Sequence, residues 1–337
     1  MKKCHYFCSR KGTSEMDFRT IIEVKGMMPT INHDEGIVMI GSCFVDNIGQ
    51  RLERALFNVT VNPFGTLYNP LSIAAALRRL SEGRAYTAEE LTEYGGVWHS
   101  FAHHSQFSSI DKDIALKKIN DSFQRARLAL QAARHLIVTF GTAYVFCLKD
   151  GTVVANCHKL PADYFVRRLM SVEEIVAQWQ PLISELKTFS PSVDITFTVS
   201  PIRHFADGAH GNNVSKATLL LAVERLLEET GCHYFPAYEL VLDDLRDYRF
   251  YAADMTHPSE QAVDYIMERF AEAAFTADTI AIAQRCEKLA RRLAHRQLTD
   301  DAQSHRRFRE STDALAQQLI ADYPHISPLI EKLKLKQ

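Results

Sequence analysis

Val38-Met39-Ile40-Gly41-Ser42-Cys43-Phe44 runs from apolar, partly β-branched residues through a glycine into a polar pair, and an amphipathic pattern follows from Asp46 to Phe57. This change of period reads as a buried strand turning sharply into a helix. The turn presents Ser42 at the end of the strand. A serine hydroxyl is a weak nucleophile until a base stands within hydrogen-bond reach. Asp254 and His257, an Asp-x-x-His pair far downstream, are of the types that supply such a base and its orienting carboxylate.

The same alternation repeats along the chain. Short β-branched runs at residues 37–41, 58–61, 135–140, 194–200 and 233–240 predict strands, and the segments 46–57, 71–82, 114–133, 172–189 and 214–229 predict helices. That order predicts an α/β fold with a mainly parallel sheet wrapped by helices and right-handed crossovers. Strand C-termini then share one edge, where open α/β sheets bind ligands. Gly41-Ser42, Asn62-Pro63-Phe64-Gly65, Gly141-Thr142 and Ser200-Pro201-Ile202-Arg203-His204 each follow a strand and are expected to converge there. Ala143-Tyr144-Val145-Phe146 reads as a further extended segment, pairing with residues 152–155 across Lys149-Asp150-Gly151. Beyond Asp254 the pattern is helical almost to the end, with a break near Leu298-Thr299-Asp300. The expected organisation is a tail at 1–15, a catalytic domain at 16–275, which opens on the more regular segment from Met16, and a helical extension at 276–337.

Hydrophobic residues make up 46% of the 337 and charged residues 24%, ordinary globular values that suit one elaborated domain. A net charge of -2 gives no basic stripe, and Arg285 to Arg296 alternates with apolar residues as a solvated helix face does, so no nucleic-acid partner is expected. Seven cysteines without C-x-x-C spacing read as reduced thiols. No apolar signal region follows Met1-Lys2-Lys3, and no apolar run approaches the roughly 18 residues that span a bilayer. The expectation is a cytoplasmic protein with no membrane segment. Without G-x-G-x-x-G or a Walker-type Gly-Lys-Ser/Thr, no nucleotide cofactor is expected. His99 and His103 stand at i, i+4, a spacing that offers zinc two imidazoles if both lie on one helix face and a third ligand joins them. With no H-E-x-x-H beside them, the segment from Trp98 to Ser105 reads instead as a loop near the pocket, and no metal is assigned.

Gly41-Ser42-Cys43-Phe44-Val45 closely resembles the signature pentapeptide of the GSCFA family, with Val45 in place of alanine. That family belongs to the wider SGNH (GDSL-like) hydrolase and esterase group. The resemblance extends from about Phe18 to Phe270. It takes in Asn62-Pro63-Phe64-Gly65-Thr66, Phe140-Gly141-Thr142-Ala143, Asn156-Cys157-His158-Lys159, Ser200-Pro201-Ile202-Arg203-His204 and Arg246-Asp247-Tyr248-Arg249-Phe250-Tyr251, in one order. It implies an SGNH-hydrolase-like (flavodoxin-like) three-layer α/β/α fold with a mainly parallel sheet, plus C-terminal helices. It also implies an acyl-enzyme on Ser42, with His257 as base and Asp254 holding the imidazole. The implied oxyanion donors are the amides of Ser42 and Gly65 and a side-chain amide of the third block. Ala143 stands where that asparagine is expected, which leaves Asn156 and Asn62 as candidates by residue type. Asn62, Gly141, His104, Arg203 and His204 complete the implied substrate-binding set. The implied reaction is hydrolysis of an ester, or transfer of its acyl group, on a small-molecule or carbohydrate substrate such as an O-acetylated sugar, with no cofactor.

Each of these residues has a plainer reading. Ser42 is also a natural helix N-cap, and Asp254 a helix cap with His257 a surface residue before Pro258. Cys43 is a second candidate nucleophile, because a thiolate is intrinsically stronger, although its default reading is a small buried residue. Arg203 and His204 either bind an anionic substrate or make structural hydrogen bonds at a strand end. The rival function is a non-catalytic module that binds a glycan or peptide. Ala143 favours the module; Ser42, Asp254 and His257 together favour the enzyme.

Overall fold

β1 (Ile37–Gly41) is buried at every position, as a strand covered by helices on both faces must be. Its side chains alternate between two cores, Val38 and Ile40 entering one and Ile37 and Met39 the other. The computed structural model describes residues 19–295 and 302–335. The expected tail at 1–15, the start of the regular segment at Met16 and the expected break at Leu298-Thr299-Asp300 lie outside the described residues.

From β1 the chain enters α1 (Cys43–Arg54) and returns through β2 (Val59–Val61) to α2 (Pro70–Glu82). Asn69 caps α2 by accepting the Ser72 amide at 2.8 Å, and Pro70 occupies the first helical position, where no amide is needed. A hairpin of β3 (Thr92–Tyr94) and β4 (Val97–His99) precedes α3 (Lys112–Ala132), whose N-cap Asp111 accepts the amides of Asp113 and Ile114. β5 (His135–Phe140) leads into a small antiparallel sheet of β6 (Tyr144–Leu148), β7 (Val153–Val154) and β8 (Phe165–Leu169). Then come α4 (Val172–Phe189), β9 (Asp194–Val199), α5 (Gly208–Thr230), β10 (His233–Tyr234) and the single turn α6 (Ala237–Glu239). α7 (Glu260–Ala274), α8 (Ala277–Leu293), α9 (Ala302–Asp322) and α10 (Ser327–Leu335) close the chain.

The central sheet has the order β10-β9-β5-β1-β2, and every pairing in it is parallel. Counted within the sheet this is 2-1-3-4-5, a doubly wound order whose direction reverses between β1 and β5. The expected parallel sheet flanked by helices is therefore present. In such sheets ligands bind where the order reverses, here at the carboxyl ends of β1 and β5, and the turn after β1 lies at that point.

Three expectations change in detail. The strand expected over 233–240 ends at Tyr234, because Pro236 cannot donate to a ladder and the chain turns helical from Ala237. β6 pairs with β7 as expected and also with β8, which carries no clean alternation to announce it. The β3–β4 hairpin turns at Gly95-Gly96, both at positive φ, and it places His99 on a strand rather than a helix. His99 and His103 therefore do not share a helix face. His103 packs among Phe64, Tyr86 and Phe107, with burial pushing it down to about 3, and His99 stacks on His158 at 4.4 Å. Among the described residues, no group of three or more histidine, cysteine or acidic side chains is placed to hold a metal ion. No helix among them is long and apolar enough to cross a membrane.

A third, smaller core joins Leu56 to Cys286, Leu289, Ala316, Leu319, Ile326 and Ile330, so α8, α9 and α10 pack together over the corner between α1 and β2. Beside it the buried His33 places Nε2 2.9 Å from the Ala55 carbonyl and Nδ1 3.0 Å from His325 Nε2. Nε2 of His33 thus carries the proton, and Nδ1 accepts from His325. Desolvation lowers the His33 pKa from 6.5, with His325 adding to the shift. A histidine with a depressed folded pKa contributes stability that is present above the unfolded value and lost as pH falls through the folded one. Acidification from pH 7 to 5 is accordingly expected to lower the hydrogen-exchange protection factors, taken relative to the intrinsic rate at each pH, across 302–335. A His33→Phe variant is expected to lose most of that pH dependence.

Candidate active site

Gly41 sets the site. A Cβ on this residue would lie 2.2 Å from the Thr139 carbonyl oxygen of β5, so only glycine allows the two strands to stay paired while the chain turns. Ser42 follows as the N-cap of α1. Its side chain caps nothing: it is 0% exposed, its Oγ has no hydrogen-bond partner, and a Cβ on Gly141 would meet Ser42 Cβ at 3.3 Å. Ser42 thus continues the face of Val38 and Ile40 and points back toward the end of β5. Cys43, on the opposite parity, packs at the edge of the core formed by Ile37, Met39, α1 and α7.

The loop that leads into α7 lies on that second face. Asp254 Oδ1 accepts the amides of Thr256 at 2.9 Å and His257 at 3.0 Å, and Ala252 donates to the His257 carbonyl at 2.8 Å. Met255 at φ 57° makes the turn possible. In this frame His257 Nδ1 lies 2.6 Å from Asp254 Oδ2, and its Nε2 lies 3.6 Å from Cys43 Sγ. The carboxylate fixes the tautomer, leaving Nε2 free to accept a proton from the thiol. The His257 and Thr256 amides and the His257 ring hold Asp254 well below the usual carboxylate range, so it stays ionised. Among the described residues, the row that forms is Cys43–His257–Asp254. Ser42 and His257 are not brought together, because strand parity sends the hydroxyl to the other face.

Burial pushes the Cys43 thiol up and Asp46 adds to the shift, while the amides of Cys43 and Phe44 and the Lys216 ammonium act the other way. At neutral pH the thiol therefore keeps its proton until a base takes it. The Tyr68 hydroxyl interacts with Cys43, and burial followed by the Cys43 charge raises it to about 12, which keeps it a neutral donor. Behind them stands Lys216, fully buried, with Nζ 2.6 Å from the Gly141 carbonyl and 2.7 Å from that of Ser200. Burial, with Arg203 adding, brings it down to about 7. Neither Tyr68 nor Lys216 was expected. Tyr68 has no sequence signal beyond following Gly65-Thr66-Leu67, whereas Lys216 interrupts the apolar face of α5 between Asn212 and Leu219, where a lysine is out of place.

The remaining expected residues divide. Gly65 does not offer an open amide, since its N–H donates to the Asn62 carbonyl at 2.7 Å and its α-carbon packs against His104. Asn62 is a brace rather than a substrate contact: Oδ1 accepts the Gly41 amide at 2.9 Å and Nδ2 donates to Asp46 at 2.8 Å. Asn156 sits in the loop after β7, where its Oδ1 accepts the His158 amide at 2.8 Å and its own amide reaches the Phe101 carbonyl. Gly141 holds Tyr68 by donating to its carbonyl at 2.8 Å. His104 covers the Gly65 turn within the field of Asp46. Ala143 donates its amide to Ser215 Oγ at 2.8 Å, which closes the third block as a structural join. Arg203 and His204 do lie beside the row. Arg203 donates its amide to the Thr256 carbonyl at 3.1 Å, and the His204 ring meets Tyr68 edge-on at 6.0 Å.

The sheet order and this row define a doubly wound α/β protein with a thiol, an imidazole and a carboxylate gathered near the switch point. The model of the GSCFA family matches residues 36–270, and the chain belongs to that family. No curated protein matches it.

The Asn62 brace yields a stability expectation. Asn62→Ala strands the buried Gly41 amide and removes a donor from Asp46, so unfolding in urea is expected to shift by about 2 kcal/mol. A shift below a few tenths would show that the brace is dispensable.

Proposed function

We propose that this protein is an acyl-ester hydrolase or acyltransferase of the SGNH (GDSL-like) kind whose nucleophile is Cys43 rather than Ser42. The single observation that carries the reading is the row Cys43 Sγ, His257 Nε2, His257 Nδ1, Asp254 Oδ2, with separations of 3.6 Å and 2.6 Å. A binding module has no use for a base aimed at a thiol.

The chemistry follows from the groups present. His257 Nε2 takes the thiol proton as Sγ attacks the ester carbonyl carbon, giving a tetrahedral oxyanion and an imidazolium held by Asp254. The N-terminal amides of α1 at Cys43 and Phe44, left open because Ser42 does not cap them, face the thiol together with the Tyr68 hydroxyl and can donate to that oxyanion. Collapse of the intermediate breaks the carbon–oxygen bond. The departing alkoxide recovers the proton from Nε2, and a thioester remains on Cys43. Water, or the hydroxyl of an acceptor, then attacks the thioester with His257 again as base, and the thiol is restored. The second acceptor alone separates hydrolysis from transfer. A resting thiol as nucleophile works in a reducing compartment, which agrees with the cytoplasmic expectation. O-acetylated carbohydrates are the first esters to screen.

Incubation with p-nitrophenyl acetate is expected to leave an acetyl thioester on Cys43 that hydroxylamine releases. Cys43→Ala and His257→Ala are expected to lower turnover by about 10³-fold or more, while Ser42→Ala keeps the adduct on Cys43. Full turnover in Cys43→Ala, or a fluorophosphonate adduct on Ser42, sinks the thiol reading. In His257→Ala the alkylation rate of Cys43 is expected to keep rising above pH 9, because burial raises this thiol. A plateau below pH 8 would contradict that origin.

A further inference from the structure

Two cations stand beside the row without a carboxylate partner among the described residues. Arg203 is fastened to the His257 loop through its amide, spends Nη2 on Asn213 Oδ1 at 3.1 Å, and keeps a buried Nε with no partner. Lys216 has only the carbonyls of Gly141 and Ser200. Between the two in the chain, His204 also has a buried ring nitrogen, Nε2, with no partner. Burial, then Lys216 and His257, push its pKa down to about 4, so it stays neutral beside them.

The nearby carboxylates are already engaged. Asp207 pairs with Arg167, Asp254 with His257, Asp46 with Asn62 and Thr66, and Glu239 with the Tyr234 hydroxyl. Buried charge without a counterion is costly, and buried polar atoms without partners ask for an explanation. One anionic group reaching both Arg203 Nε and His204 Nε2, on adjacent residues, would satisfy both, with Lys216 behind them. We propose that the acyl ester taken by this site carries an oxyanionic group, a carboxylate or a phosphate, seated on Arg203 and His204 beside the carbonyl that Cys43 attacks. The proposal rests on the reading of Cys43 as the reacting centre. It narrows the substrate from esters in general to anionic ones, because the guanidinium edge and a neutral imidazole are both suited to donate to an oxyanion.

The test compares alkylation of Cys43 by iodoacetate and by iodoacetamide in the full chain, with the labelled cysteine located by peptide mass. Relative to free cysteine, Cys43 is expected to favour iodoacetate by about tenfold, the size of one charge-assisted hydrogen bond. Arg203→Gln is expected to abolish that preference and Arg203→Lys to keep part of it. Succinate or inorganic phosphate is expected to slow the alkylation in the parent chain alone, and the stronger competitor identifies the group. Equal reagent ratios in the parent and Arg203→Gln, with no competition by either anion, would overturn the anion site and leave the nucleophile standing. A Cys43 no more reactive than free cysteine and indifferent to His257→Ala would instead overturn the nucleophile. Calorimetric binding of succinate or phosphate then decides the anion site by itself: binding lost in Arg203→Gln upholds it, and no binding removes it.

Discussion

The close contact between Gly41 and the Thr139 carbonyl is the constraint on which the rest of the molecule depends. β1 and β5 are neighbours at the point where the sheet reverses direction, and their separation there is set by a residue with no side chain. Because the strands stay paired to their last residues, the turn into α1 is abrupt, and side-chain parity carries over into it. Ser42 goes to the core side and Cys43 to the side of α7. Asn62 fixes the same corner from β2 by accepting the Gly41 amide and donating to Asp46 one turn into α1. A one-residue slip here would exchange a thiol for a hydroxyl at the base.

Much of the architecture was legible. β1 and β5 announced themselves as largely apolar runs and β9 as a β-branched one, and the helices between them carried a 3.6 period, so the parallel sheet followed from pattern alone. β8 and β10 were obscured for opposite reasons. Phe165–Leu169 contains two arginines and lies at a wet edge, whereas the run from His233 is rich in aromatic and apolar residues up to Leu240 and is ended as a strand by Pro236. Asp254 and His257 were legible as a pair because three residues and one loop suffice to join them. The partner of His257 was harder, since Ser42 and Cys43 are adjacent and a motif read as letters does not say which of them faces the imidazole. The alternation of Val38 and Ile40 against Ile37 and Met39, projected two residues further, points Cys43 toward α7. Lys216 was visible as a charge on an apolar face, but only the folded sheet says that its partners are two carbonyls at strand ends.

The electrostatics of this corner are unusually one-sided for a site whose acidic members are all occupied. Asp254 is committed to the imidazole and two amides, Asp46 to the brace, and Asp207 to Arg167. Lys216 draws its support from peptide dipoles, which favour its charge without cancelling it. The thiol, the phenol of Tyr68 and the ring of His204 are accordingly all held in their neutral forms, by burial in each case. The site at rest is thus rich in donors, and Cys43 and His257 are placed to exchange a proton, with Lys216, brought down to about 7 by burial, behind them.

The side chains of His257 and Asp254 remain 44% and 50% exposed. Cys43 is half-buried at the core edge while the imidazole stands half in water, so on the proposed reading the two halves of an ester would meet different surroundings. The acyl half would meet the half-buried thiol and the core edge it packs against. The alcohol half, recovering its proton from the imidazole, would leave past the exposed side chains of His257 and Asp254. On that reading, selectivity would fall mainly to the portion that stays behind on sulfur.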